Sequence, residues 1–232
     1  MKNLNFLALF LANVLAAQSI SLVKDINPGI QGSSPRYFTN LNQKIYFSAT
    51  NAATGIELWQ TDGTGEGTQL VADYIPGEDG QIPVNLITFN NKVYYSSLLG
   101  IDGKPSGLYK YDPANGIQLV SEDYSWTSDF YATPNALYFN AGNMLSAMKK
   151  DESIAKISET IAPNGQAAEI NGKLLFGGRP IADEENYFFQ LYSYDGTETK
   201  LVKTLHPTST GNPQNFFYSP TLNKVLFNGT DA

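Results

Sequence analysis

Hydrophobic positions along this chain fall in short runs that recur at a nearly constant step. A Lys-apolar-aromatic element, or its kin, stands at Lys44-Ile45-Tyr46-Phe47, Lys92-Val93-Tyr94-Tyr95, Ala136-Leu137-Tyr138-Phe139, Lys173-Leu174-Leu175-Phe176 and Lys224-Val225-Leu226-Phe227. An apolar pair, or its kin, keeps the same step at Leu22-Val23, Leu70-Val71, Leu119-Val120, Lys156-Ile157 and Leu201-Val202. Between them lies a third marker that ends at an Asp: Glu57-Leu58-Trp59-Gln60-Thr61-Asp62-Gly63, Gly107-Leu108-Tyr109-Lys110-Tyr111-Asp112 and Gln190-Leu191-Tyr192-Ser193-Tyr194-Asp195-Gly196, with a degenerate copy at 144–151. A strand running into a hairpin leaves this trace, because Asp bonds its own backbone and Gly accepts positive φ. A further apolar run precedes most Lys-aromatic elements, as in Arg36-Tyr37-Phe38-Thr39 and Asn85-Leu86-Ile87-Thr88-Phe89.

Each repeat of roughly 45 residues therefore predicts four short antiparallel strands, a to d, which is the signature of a propeller blade. The fold class expected is all-β, a β-propeller with four-stranded blades at 35–73, 83–122, 128–159 and 167–204, and a fifth begun at Asn215. A two-sheet sandwich is the rival, but it does not require the same marker order to recur. Helical solenoids fail because no segment holds a 3.6-residue apolar period. Leu22-Val23-Lys24-Asp25-Ile26 reads as a strand d with no a, b or c before it, and the fifth blade stops after its second strand. Both ends suggest a propeller domain over 18–232 that is truncated at its C-terminus, the orphan strand completing a last blade.

At the first repeat the residues become specific. Glu57-Leu58-Trp59-Gln60-Thr61-Asp62-Gly63-Thr64, then Gly67-Thr68, Leu70-Val71 and Pro76-Gly77, resemble the ELWxTDGTxxGTxLVxDIxPG repeat of exported bacterial proteins known as ELWxxDGT or hyalin-like repeat proteins. Leu22-Val23-Lys24-Asp25-Ile26-Asn27-Pro28-Gly29 looks like the tail of another copy, and Asp195-Gly196-Thr197 with Leu201-Val202-Lys203 a partial third. The second and third blades lack the Gly-Thr pair. The resemblance implies a secreted or surface-attached propeller and no defined enzymatic activity.

Charge and composition narrow the function. The net charge of −7 disfavours nucleic acid and anionic membranes as partners. Absence of Cys excludes disulfides, thiolate metal sites and a Cys nucleophile. Lys2 followed by the mostly apolar run from Phe6 to Ala17 fits a signal peptide over 1–17, since a bilayer span needs roughly 20 apolar residues. Secretion or attachment to the cell surface is expected after its removal, without membrane insertion.

In an up-and-down blade the b–c and d–a connections share one face and the a–b and c–d turns the other. The Asp-Gly turns are c–d. The irregular loops, 51–56, 78–82, 99–107, 124–129, 179–188 and 206–213, gather on the opposite face, where binding usually resides. Two ligand sites are candidates there. Trp126, with Tyr124 and Asp129, forms either a sugar-stacking platform with a carboxylate for hydroxyl groups or an ordinary Trp buried at a blade junction. Asp183, Glu184 and Glu185 either hold a cation with other loop carboxylates or form a solvated acidic loop. Asp62-Gly63-Thr64 reads as a turn rather than a calcium loop, because ligands at alternating positions closed by a Glu are missing.

The case for an enzyme is thin. A single His and no Gly-x-Ser-x-Gly elbow leave little for a serine triad, and one His cannot build a His-rich metal site. No metal or other cofactor is expected. The reading is a non-catalytic adhesion, scaffold or glycan-binding module whose partner is an extracellular glycan or surface protein. The alternative is a propeller glycoside hydrolase or lyase working with a pair of loop carboxylates.

Overall fold

A computed structural model describes residues 20–101, 103–182 and 188–231. Within them the regular structure is β, apart from one 3-10 turn at Glu122–Tyr124. The first blade holds β1 (Arg36–Leu41), β2 (Lys44–Asn51), β3 (Gly55–Thr61) and β4 (Gln69–Leu70). The second holds β5 (Pro83–Phe89), β6 (Lys92–Ser97), β7 (Gly107–Asp112) and β8 (Gly116–Ser121). The third holds β9 (Thr127–Ala132), β10 (Ala136–Ala141), β11 (Met144–Lys149) and β12 (Ile154–Lys156). The fourth holds β13 (Ile161–Ile170), β14 (Lys173–Pro180), β15 (Gln190–Tyr194) and β16 (Thr199–Lys203), and β17 (Gln214–Ser219) pairs with β18 (Lys224–Asn228) in a two-stranded sheet. Every sheet is antiparallel with neighbours in chain order. First strands touch first strands, β1 with β5, β5 with β9, β9 with β13 and β13 with β17, so they line an axis and the blades radiate from it. This is a β-propeller.

Packing explains why the Lys-aromatic runs are continuously apolar. Blades stack face to face, so both faces of a second strand are buried. Val93 and Tyr95 pack back onto Leu41, Tyr46 and Leu58 of the first blade, whereas Tyr94 points forward to Leu137 and Phe139 of the third. Val93, Tyr94 and Tyr95 are accordingly all inaccessible. The same junction recurs between third and fourth blades around Leu145 and Phe176, and again around Leu191 and Phe216. In the second blade the buried tyrosine hydroxyls each have an acceptor: Tyr94 on Glu152 Oε1 (3.1 Å), Tyr95 on Gln81 Oε1 (3.0 Å) and Tyr109 on the Pro105 carbonyl (2.7 Å). Glu152 also takes Lys92 and Lys110, stapling the second and third blades.

The c–d turns follow one rule. Asp62, Asp112, Asp151 and Asp195 each accept the backbone N–H two residues on, at 2.9, 2.9, 3.0 and 3.1 Å. The hydroxyls of Thr64, Ser153 and Thr197, with those N–H groups, hold Asp62, Asp151 and Asp195 below the usual carboxylate range, Asp195 at about 2. At Asp112 the Ala114 N–H and then the Asn115 amide do the same. These carboxylates serve their own turns.

Two expectations need correction. The fourth blade begins at Ile161, not at residue 167, because its first strand runs through Pro163 and Gly165, which the sequence marks as breakers. Residues 22–26 form no strand, and Leu22 and Val23 are exposed. The adjoining stretch is nevertheless docked. Ile26 packs on Phe47, Ala49 and Trp59, its carbonyl accepts Asn51 Nδ2 (2.7 Å), and Asn27 Oδ1 accepts Ala52 N–H (2.9 Å). The signal peptide expected at 1–17 lies outside the described residues.

Candidate functional site

Two devices shape the face of irregular loops. The first is a side chain at the start of the third strand that holds the d–a loop. Glu57 is fully buried, and its Oε1 accepts from Ile75 N–H (2.9 Å) and Gln81 N–H (3.1 Å), while Oε2 has no partner among the described residues. Gln190 stands at the equivalent point of the fourth blade. Its Oε1 accepts Leu205 N–H (2.7 Å), and its Nε2 donates to the carbonyls of His206 (3.0 Å) and Ser209 (3.3 Å). Beside Glu57 the loops meet backbone to backbone: Ile56 N–H donates to Asp79 O, and Ile82 N–H to Ile56 O. Gly55, at φ +67°, permits this, since a Cβ there would lie 2.4 Å from the Asp79 carbonyl carbon. Burial pushes Glu57 up to about 7, its two backbone donors offsetting only part of that cost and the nearby Asp73 adding to it.

The second device is a bulge in every first strand. Pairing slips between Arg36 and Thr39, Val84 and Ile87, Ser128 and Tyr131, Pro163 and Ala167, and Gln214 and Phe217. In each bulge one residue adopts left-handed backbone: Tyr37 (φ +58°), Asn85 (+57°), Asp129 (+51°), Gly165 (+81°) and Asn215 (+55°). A bulge re-aims side chains, and here it does so at the same height around the axis.

The sequence-predicted residues now separate. Trp126, in the connection from β8 to β9, is 70% exposed, which removes the alternative of a Trp buried at a blade junction. It stands between two cavities. One, of about 550 Å³, is lined by Tyr124, Trp126, Met144 and Lys156; the other, of about 320 Å³, by Tyr37, Asn85, Leu98 and Trp126. Tyr124 is half-buried, its ring edge-on to Phe139 at 5.5 Å, so it borders the first cavity while anchored in the core. Asp129 is not on either wall. It lies nearer the axis, in a cavity of about 210 Å³ with Asn85 and Gln166, and its Oδ2 accepts Ser128 Oγ (2.8 Å) and Asn140 Nδ2 (3.0 Å). Asp183, Glu184 and Glu185 lie outside the described residues. Among the described residues no group of three or more His, Asp and Glu comes together as a metal site.

Sequence reasoning missed Arg36 and Tyr37, which it placed in a first strand without a site role. A fourth cavity, of about 380 Å³, is lined by Arg36, Tyr37, Thr50, Val84 and Leu98 and adjoins the one ending at Trp126. A Tyr at positive φ within an apolar run carries no sequence signal.

With this geometry in place, the chain can be set beside known proteins. No family model matches it. No curated protein matches it either. Solved structures share its fold. The extracellular domain of a one component system from B. thetaiotaomicron is 15% identical, with a TM-score of 0.52 over 83% of this chain and 26% of that one. Puromycin hydrolase is 10% identical, with a TM-score of 0.53 over 84% of this chain and 34% of that one. The chain thus spans about a quarter to a third of the length of these structures. An extracellular domain and an enzyme appear side by side, and at such identity the likeness establishes the propeller fold alone. No helix among the described residues is long and apolar enough to cross a membrane.

Proposed function

We propose that this chain is a non-catalytic, exported propeller module of the ELWxxDGT type that binds an extracellular glycan on its irregular-loop face. One observation carries the reading: a solvent-facing indole, Trp126, standing between two cavities on a rigid scaffold. Trp is a costly residue to leave in water and is normally covered. An exposed indole beside concave, partly polar walls suits a ligand with one apolar face and many hydroxyls, which describes a pyranose ring. Among the described residues the one carboxylate with a raised proton affinity, Glu57, is sealed in the interior holding a loop, which favours binding over hydrolysis. A glycan array comparing wild type with Trp126→Ala tests this. Glycan binding that Trp126→Ala removes is expected, and unchanged binding would eliminate Trp126 as the platform. Polysaccharide hydrolysis abolished by Asp129→Asn would overturn the non-catalytic part.

A further inference from the structure

The five left-handed bulge positions are not filled alike. Asn85, Asp129, Gly165 and Asn215 are residue types that tolerate positive φ, because Gly has no Cβ and the short polar side chains bond locally. Tyr37 is the exception. A bulky aromatic in that backbone is strained, and it is not a buried core residue, for Tyr37 is 40% exposed. Strain held at a solvent-facing side chain points to a ligand contact.

Its surroundings say which kind. Tyr37, Val84 and Leu98 belong to both adjoining cavities, so the two form one groove along the inner rim of the first three blades. Arg36 borders the groove at one end and Trp126 at the other. Arg36 is exposed and forms no ion pair among the described residues, although the protein carries 22 acidic side chains against 15 basic ones. A guanidinium without an ion-pair partner among the described residues, beside walls of mixed apolar and hydroxyl groups, is matched in shape and charge by a carboxylate.

We infer that the groove from Arg36 past Tyr37 to Trp126 binds an acidic glycan, a uronate-containing chain whose carboxylate is held by Arg36 while its sugar rings lie against Tyr37 and Trp126. This rests on the glycan-binding reading and names its ligand class. A neutral chain would satisfy the two aromatic rings and leave Arg36 idle. A small free anion would use Arg36 and leave the rings idle.

The test is calorimetric titration of the full chain with tetragalacturonate and, separately, cellotetraose, at low salt. Binding of tetragalacturonate is expected, weakened at least tenfold by Arg36→Gln, by Tyr37→Asn and by Trp126→Ala, and weakened by added salt in the wild type. Tyr37→Asn places in the first blade the residue type that the second already uses there. Its melting temperature should equal or exceed the wild type's, so lost binding in that variant is not lost folding. Tetragalacturonate binding unaltered by Arg36→Gln overturns the inference. Binding of cellotetraose alone, lost in Trp126→Ala, also overturns it while leaving the glycan-binding reading standing. Binding of neither oligosaccharide, with the array blank as well, removes both.

Discussion

Replacing Glu57 by Gln isolates the energetic effect of one buried ionisable group. Glu57 has an ordinary carboxylate affinity in the unfolded chain, 4.5, and one of about 7 in the fold, because burial disfavours its charge. A raised acid stabilises the fold in its protonated form. The stability it supports is therefore complete below pH 4.5, falls as pH rises through about 7, and is lost above that. Converted at about 1.4 kcal/mol per pH unit, the displacement amounts to about 3 kcal/mol, a large part of a total that is typically about 5–15 kcal/mol. Gln keeps the acceptor oxygen for Ile75 and Gln81 N–H and never ionises, and Gln190 already holds a loop in this way. Urea unfolding at pH 5, 7 and 8.5 should show wild type losing about 2–3 kcal/mol relative to Glu57→Gln across that range, since a small part is already gone at pH 5. Comparing the two proteins cancels the other titrating groups, including the turn aspartates, whose effect has the opposite sign. Parallel pH profiles for both would refute the reasoning. So would a variant less stable than wild type at pH 8.5.

Other outcomes follow from the same geometry. Glu152 is held below the usual range, since hydrogen bonds from Lys110, Lys92 and Tyr94 outweigh the burial that would raise it. Its stabilisation is present above 4.5 and vanishes as pH falls through its lower folded value, so Glu152→Gln should cost about 1–3 kcal/mol at pH 7 and progressively less as pH falls below 4.5, by denaturant titration. Gly55→Ala puts a Cβ against the backbone of Asp79 at a positive φ; it should cost about 1–3 kcal/mol, read as a melting temperature lower by about 3–10 °C.

The blade count and strand order were legible because each second strand is buried on both faces and so writes an unbroken apolar run, and each c–d turn needs an Asp. The start of β13 was not, since its bulge uses Pro163 and Gly165, the same letters that elsewhere mark loops. Nor was Glu57. A Glu beginning an exposed-looking strand reads as surface, and only the fold of residues 75–81 over it makes it interior. The site was half visible. Trp126 stood out by type and loop, but its exposure depends on how the β8–β9 connection leaves the blade. Arg36 and Tyr37 were invisible because a left-handed residue in a strand turns its neighbours away from the period-two pattern on which a reading of faces depends.

The slip in pairing at every first strand has an evolutionary consequence. Apolar blade-to-blade packing is carried by side chains elsewhere on the sheets, so four of the five out-of-register positions can be exchanged without disturbing a junction core, while Asn85 also donates across to the Thr127 carbonyl (2.9 Å). A protein of this build can vary the chemistry of its inner rim one position at a time, while its mechanical frame stays constant.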